Sequence, residues 1–92
     1  MKSLLLLALL TPIFGASAQS AYPARPITIV VPFGPGGVAD LTARTVAQAM
    51  SAALRQAVVI DNRPSAGAIV GSAAVAQAAP DGYTLLLLSN AN

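Results

Sequence analysis

Residues 27–40, Ile-Thr-Ile-Val-Val-Pro-Phe-Gly-Pro-Gly-Gly-Val-Ala-Asp, constrain the fold more than any other part of the chain. A β-branched run, Ile27–Val31, stops at Pro32. A loop holding Gly34, Gly36 and Gly37 follows, and Val38 then opens an apolar-periodic segment with an acid, Asp40, in its first turn. That succession reads as strand, glycine-rich turn and helix N-terminus. The first N–H groups of a helix have no partner inside it and carry the positive end of its dipole. With no side chains to block approach, such a turn predicts a place for an anion.

The rest of the chain continues the alternation. Val38 to about Leu54 is predicted helical. On a helical wheel Asp40, Arg44, Gln48, Ser51 and Arg55 share one face, and Ala39, Ala43, Val46, Met50 and Leu54 the opposite one. Val58–Asp61 reads as a second strand and Asn62–Gly67 as a loop. Ile69 to about Ala78 reads as an alanine-rich helix with no strong cap, weakened by Gly71. Pro80-Asp81-Gly82-Tyr83 has turn chemistry, and Thr84–Ser89 is a third apolar strand. Near-continuous apolar strands joined by helices predict an α/β fold: a βαβαβ parallel sheet covered on both faces, half of a doubly wound architecture. Ligands of such sheets lie beyond the carboxyl ends of the strands. Those ends are Pro32–Gly37, Asn62–Gly67 and residues 89–92, so all three loops are expected on one rim.

The compartment is legible in the first residues. Lys2 precedes an apolar run from Leu4 to Phe14, and Ala16-Ser17-Ala18 fits the small-x-small rule for leader cleavage. The run falls short of the ~20 residues that span a bilayer, which disfavours an uncleaved anchor. The chain holds no cysteine, so a lipidated N-terminus is excluded. Residues 1–18 are therefore expected to be a signal peptide, and 19–92 a soluble exported segment in the periplasm.

Composition then removes function classes. Beyond residue 18 the chain keeps four arginines and three aspartates and has no lysine, glutamate, histidine or cysteine. There is no basic stripe with interleaved aromatics, so no nucleic-acid partner is expected. Asp40, Asp61 and Asp81 are scattered and lack a neighbouring base, which supports neither an activated nucleophile nor a metal site. No enzyme activity and no cofactor are expected. Gly34-x-Gly36-x-x-Ala39 formally matches a dinucleotide fingerprint, with Asp61 placed like a ribose-binding acid. Pro35 weighs against that reading, because it removes an N–H and stiffens a turn meant to hug pyrophosphate.

Four segments occur in a fixed order: Tyr22-Pro-Ala-Arg-Pro-Ile27, Val31-Pro-Phe-Gly-Pro-Gly-Gly-Val-Ala-Asp40-Leu-Thr-Ala-Arg44, Asp61-Asn-Arg-Pro64 and Ala79-Pro-Asp-Gly-Tyr-Thr84. In these the chain resembles the Bug family, the substrate receptors of tripartite tricarboxylate transporters. The resemblance implies a monomeric periplasmic receptor of two α/β domains that closes on a small carboxylated solute and delivers it to membrane subunits. It also implies a full length near 300 residues, of which 19–92 would be the first part of domain 1. Carried over by position, the first ligand loop is Phe33, Gly34, Pro35, Gly36 and Gly37 with Asp40. The second is Asn62 to Gly67 with Ser65, Ala66 and Gly67, and the third opens at Ser89 and Asn90. The N–H groups of Gly36 and Gly37 are expected to hold a carboxylate oxygen, and Phe33 to wall the carbon skeleton. Asp40 is expected to act structurally through the helix dipole and its i,i+4 neighbour Arg44. Arg44 and Arg63 are read as loop braces and Arg25 as a cap on the sheet entry.

Two departures from the family pattern stand out. Ser65-Ala66-Gly67-Ala68-Ile69 replaces a usual Gly-Ala-Gly-Gly-Asn, and Arg55 and Ala57 replace a Gly-x-Pro turn. The second departure is expected either to lengthen the first helix or to strain the turn. They fit a divergent receptor, and equally a truncated remnant without a working site. In isolation 19–92 is expected to be marginally folded and unable to bind carboxylates.

Overall fold

A computed structural model describes residues 21–90. The expected signal peptide lies outside the described residues, as does the end of the third loop. Three strands, β1 (Ile27–Val31), β2 (Val58–Asn62) and β3 (Thr84–Leu86), form one sheet in the order β2-β1-β3. Both pairings are parallel, with Ile29 opposite Ile60 on one side and opposite Leu85 on the other. Helix α1 (Val38–Leu54) links β1 to β2. A 3₁₀ turn (Ala66–Ala68) and helix α2 (Ile69–Ala76) link β2 to β3. The β-branched run of β1 makes the central strand, and Ile27, Ile29, Val30 and Val31 are all buried.

Because side chains alternate along a strand, the two faces of the sheet separate cleanly. Ile29 and Val31 pack with Ala43 and Ala47 of α1, joined by Val58, Ile60 and Leu85 from the flanking strands and by Leu87 just beyond β3. The next residue on the other face, Pro32, meets α2, where a Cβ built on Gly71 would lie 2.8 Å from the Pro32 Cβ. One helix thus covers each face, the covered parallel sheet that the sequence predicts.

The elements differ from expectation in detail. α1 sits rotated toward its polar side: Asp40 is 3% exposed, whereas Val46 and Leu54 are 47% and 37% exposed. Alanines at 43 and 47 let the helix approach the sheet closely, which draws the Asp40 side inward. α1 ends at Leu54 rather than running on, because Arg55 adopts left-handed backbone at φ 53°. α2 is shorter than predicted. As expected, its N-cap, Ala68, offers no side-chain cap; the Ser65 hydroxyl accepts the Val70 N–H at 3.0 Å. β3 stops at Leu86, although the Leu87 N–H still donates to the Val30 carbonyl at 3.0 Å.

Candidate ligand site

Parallel strands place all three carboxyl ends on one rim, and the loops from β1 and β3 meet there. A groove of about 410 Å³ opens between them, lined by Phe33, Val38, Ala39, Thr42, Leu87, Leu88, Ser89 and Asn90. Of the residues expected at the site, Phe33 is a half-buried wall, while Ser89 and Asn90 form the polar end. Gly34, Pro35, Gly36 and Gly37 are exposed in the loop above it. Gly36 has φ +88°, which an L side chain rarely adopts. The second loop does not line this groove: Ala66 and Gly67 are exposed in the 3₁₀ turn, and Ser65 faces the start of α2. Val38, Thr42, Leu87 and Leu88 were not legible as lining residues, because their placement follows from how α1 and β3 converge.

Asp40 sits under the first loop and holds it. Its Oδ2 accepts the Gly36 N–H at 3.0 Å, and both oxygens accept from Arg44 Nε, at 3.0 and 3.1 Å. Asn62 Nδ2 donates to Asp40 Oδ1 at 2.9 Å and to the Phe33 carbonyl at 3.3 Å. Arg44 closes the cluster by donating to Asn62 Oδ1 at 3.3 Å. The Gly36 N–H, then Arg44, then Asn62 hold the Asp40 carboxyl down from 3.8 to about 2, while burial pushes the other way.

This corrects the expected anion contact. The Gly36 N–H turns inward to Asp40, while Gly37 is exposed and Val38 and Ala39 of the first helical turn line the groove. Gly37 is the N-cap and no side chain caps the helix there. Arg63 pairs with Asp61 at 2.8 Å, so the acid of the formal dinucleotide pattern is engaged by its own loop. Arg25 lies at the opposite pole, bonded to Asp81 at 2.9 Å and stacked 3.9 Å above the Tyr83 ring. A larger hollow of about 660 Å³ runs along the flank of α1 and the outer edge of β2, reaching the rim cluster only at Arg44.

Residues 42–92 match the family model for the tripartite tricarboxylate transporter family receptor. The chain belongs to that family. Over 84 residues, 91% of its length, it is 55% identical to a UPF0065 protein of Bordetella pertussis, of which that stretch is 26%. It is similar to MatC of Rhodopseudomonas palustris, solved with bound malate, at 43% identity and TM-score 0.68 over 71% of this chain and 22% of that one. It is also similar to the R. palustris protein Rpa4515, solved with adipate, at 40% identity and TM-score 0.69 over 71% and 22%. The chain thus spans about a quarter of the curated relative it matches. The resemblance read from the four motifs is therefore the family itself, and the parallel α/β unit is part of a periplasmic-binding-protein fold.

Proposed function

We propose that this segment is the first part of domain 1 of a two-domain periplasmic receptor, following an export leader of residues 1–18. The receptor captures a small carboxylated organic solute for a tripartite tricarboxylate-type uptake system and catalyses no reaction. The observation that carries this reading is the groove between the first and third loops, set at the uncapped N-terminus of α1. In this reading the Gly37 N–H and the first N–H groups of the helix are the donors for an oxyanion beside Val38 and Ala39, and the dipole favours its charge. Phe33, Val38 and Leu87 present apolar surface to the carbon skeleton, while Ser89 and Asn90 make the far end polar. Malate and adipate in the two R. palustris relatives are both dicarboxylates, which supports the solute class. Arg44 and Arg63 have carboxylate partners of their own, so the neutral donors of the rim carry recognition on this side.

The test is a chimera of MatC in which residues 21–90 of this chain replace the aligned segment. Isothermal titration with malate is expected to retain binding. Gly37→Val, which sets an isopropyl group before the free N–H groups, is expected to weaken it about a hundredfold or more. Asp40→Asn keeps an oxygen acceptor for the Gly36 N–H and is expected to weaken it less. A folded chimera that does not bind, or the reverse ranking of the two variants, would overturn backbone capture at this rim.

A further inference from the structure

In the sequence Asn62 stands only at the root of the second loop, yet in the fold its amide joins separate elements at the rim. It ends β2, 29 residues from Phe33 and 22 from Asp40. One amide nitrogen reaches both the carbonyl of a groove-wall residue and a buried carboxylate, and the amide oxygen accepts from Arg44. The Gly36 N–H is anchored on the other oxygen of the same carboxylate. We propose that Asn62 is a positioning residue: it locks the first ligand loop to the root of the second, so the two move as one body when a solute binds. This rests on the ligand-rim reading above.

Chemistry explains why the residue must be an amide. The Phe33 carbonyl and the Asp40 carboxylate are both acceptors, so the group between them must donate. Arg44 is a donor, so the same side chain must also accept. Asparagine does both within a short reach, whereas aspartate at 62 would face Asp40 with like charge and leave the Phe33 carbonyl unpaired. Without the lock the Asp40 carboxylate that anchors the Gly36 N–H would be braced by Arg44 alone among side chains, and the Phe33 carbonyl would lose its amide donor. The groove would then have to be ordered at the moment of binding, which lowers affinity.

The test reads amide hydrogen exchange and malate titration in the MatC chimera. Asn62→Ala is expected to raise exchange at the Gly36 N–H about tenfold or more while Ile29 and Val30 in β1 stay protected. Malate affinity in the chimera is expected to fall about tenfold. Asn62→Asp is expected to do at least as much harm. The exchanged pair Asp40→Asn with Asn62→Asp restores a donor facing an acceptor, and is expected to recover Gly36 protection and part of the affinity. Uniform loss of protection across β1, no change at Gly36, or no rescue by the exchanged pair would overturn the positioning role. If the unsubstituted chimera fails to bind malate, the ligand reading falls, and the exchange data still decide the lock.

Discussion

A carboxylate with an exposure of 3% is held in its charged form here by four donor contacts that take the place of water. Asp40 is thereby held at about 2 against an ordinary 3.8, and the sign of the pH effect follows. A depressed native value contributes stability that is fully present above the unfolded value and is lost as pH falls through the native one. Stability is therefore expected to decline between about pH 4 and pH 2, and Asp40→Asn to flatten that acid limb, as read from urea melts across the range. Backbone strain supplies a second prediction. Arg55 lies at φ 53° and Ala68 at φ 59°, and these are two of the positions where the family pattern has glycine. Left-handed backbone costs a side-chain-bearing residue about 1–2 kcal/mol, offset in part by the freedom glycine has when unfolded. Arg55→Gly is expected to stabilise the fold by about 0.5–1 kcal/mol in denaturant titration. Ala68→Gly should gain less, because the Ala68 methyl is buried. Ser65 carries no such penalty: its φ of −160° is extended, and its hydroxyl accepts the Val70 N–H.

Helix α2 shows how contact between elements overrides the preferences of single residues. Glycine lowers helix propensity by about 1 kcal/mol relative to alanine, so Gly71→Ala would stabilise an isolated helix. In the fold the added methyl would lie 2.8 Å from the Pro32 Cβ, 3.1 Å from its Cα and 3.3 Å from the Arg63 carbonyl. Two of those three atoms are backbone, and Pro32 itself is fully buried. Overpacking of this kind typically costs about 1–3 kcal/mol, so Gly71→Ala is expected to lower the urea midpoint despite its better propensity. Pro32 starts the first ligand loop, so the same substitution pushes on the rim from below. The N-terminal segment is tied down by an analogous contact at the other pole. There the rings of Tyr22 and Tyr83 meet at a tilt of 58° with centroids 5.1 Å apart, and the Ala24 N–H donates to the Tyr83 hydroxyl at 2.8 Å.

At the scale of the whole molecule, the three-stranded sheet is open on both sides. β2 and β3 are its edges, and Val59 and Leu88 on or beside them are 49% and 71% exposed. Apolar edges with unpaired N–H and C=O groups are templates for further pairing. An isolated 19–92 polypeptide is therefore expected to self-associate at micromolar concentrations on size exclusion with light scattering, and to bind no malate by calorimetry. A monomeric peak with cooperative unfolding and micromolar binding would show instead that this sheet is self-sufficient.

The features legible in the bare chain are local ones. β-branching, the proline stop, the glycine cluster and alanine-rich periodicity act within a few residues. The order βαβαβ and the bounds of β1 and α1 were therefore legible, and parallel topology alone put three loops on one rim. The i,i+4 pair of Asp40 and Arg44 was legible for the same reason, being one helical turn long. Packing, by contrast, settled which way those elements turn and what crosses between them. The wheel of α1 set Asp40 on the polar face opposite Val46 and Leu54, but small alanines against Ile29 and Val31 turn it inward. The donor that completes its pairing comes from Asn62, on another strand. Gly71 read as a weak point in a helix until Pro32, from a different loop, occupied the space a side chain would need. In each case the deciding partner is remote in sequence, and periodicity carries information only about neighbours within a turn or a pleat.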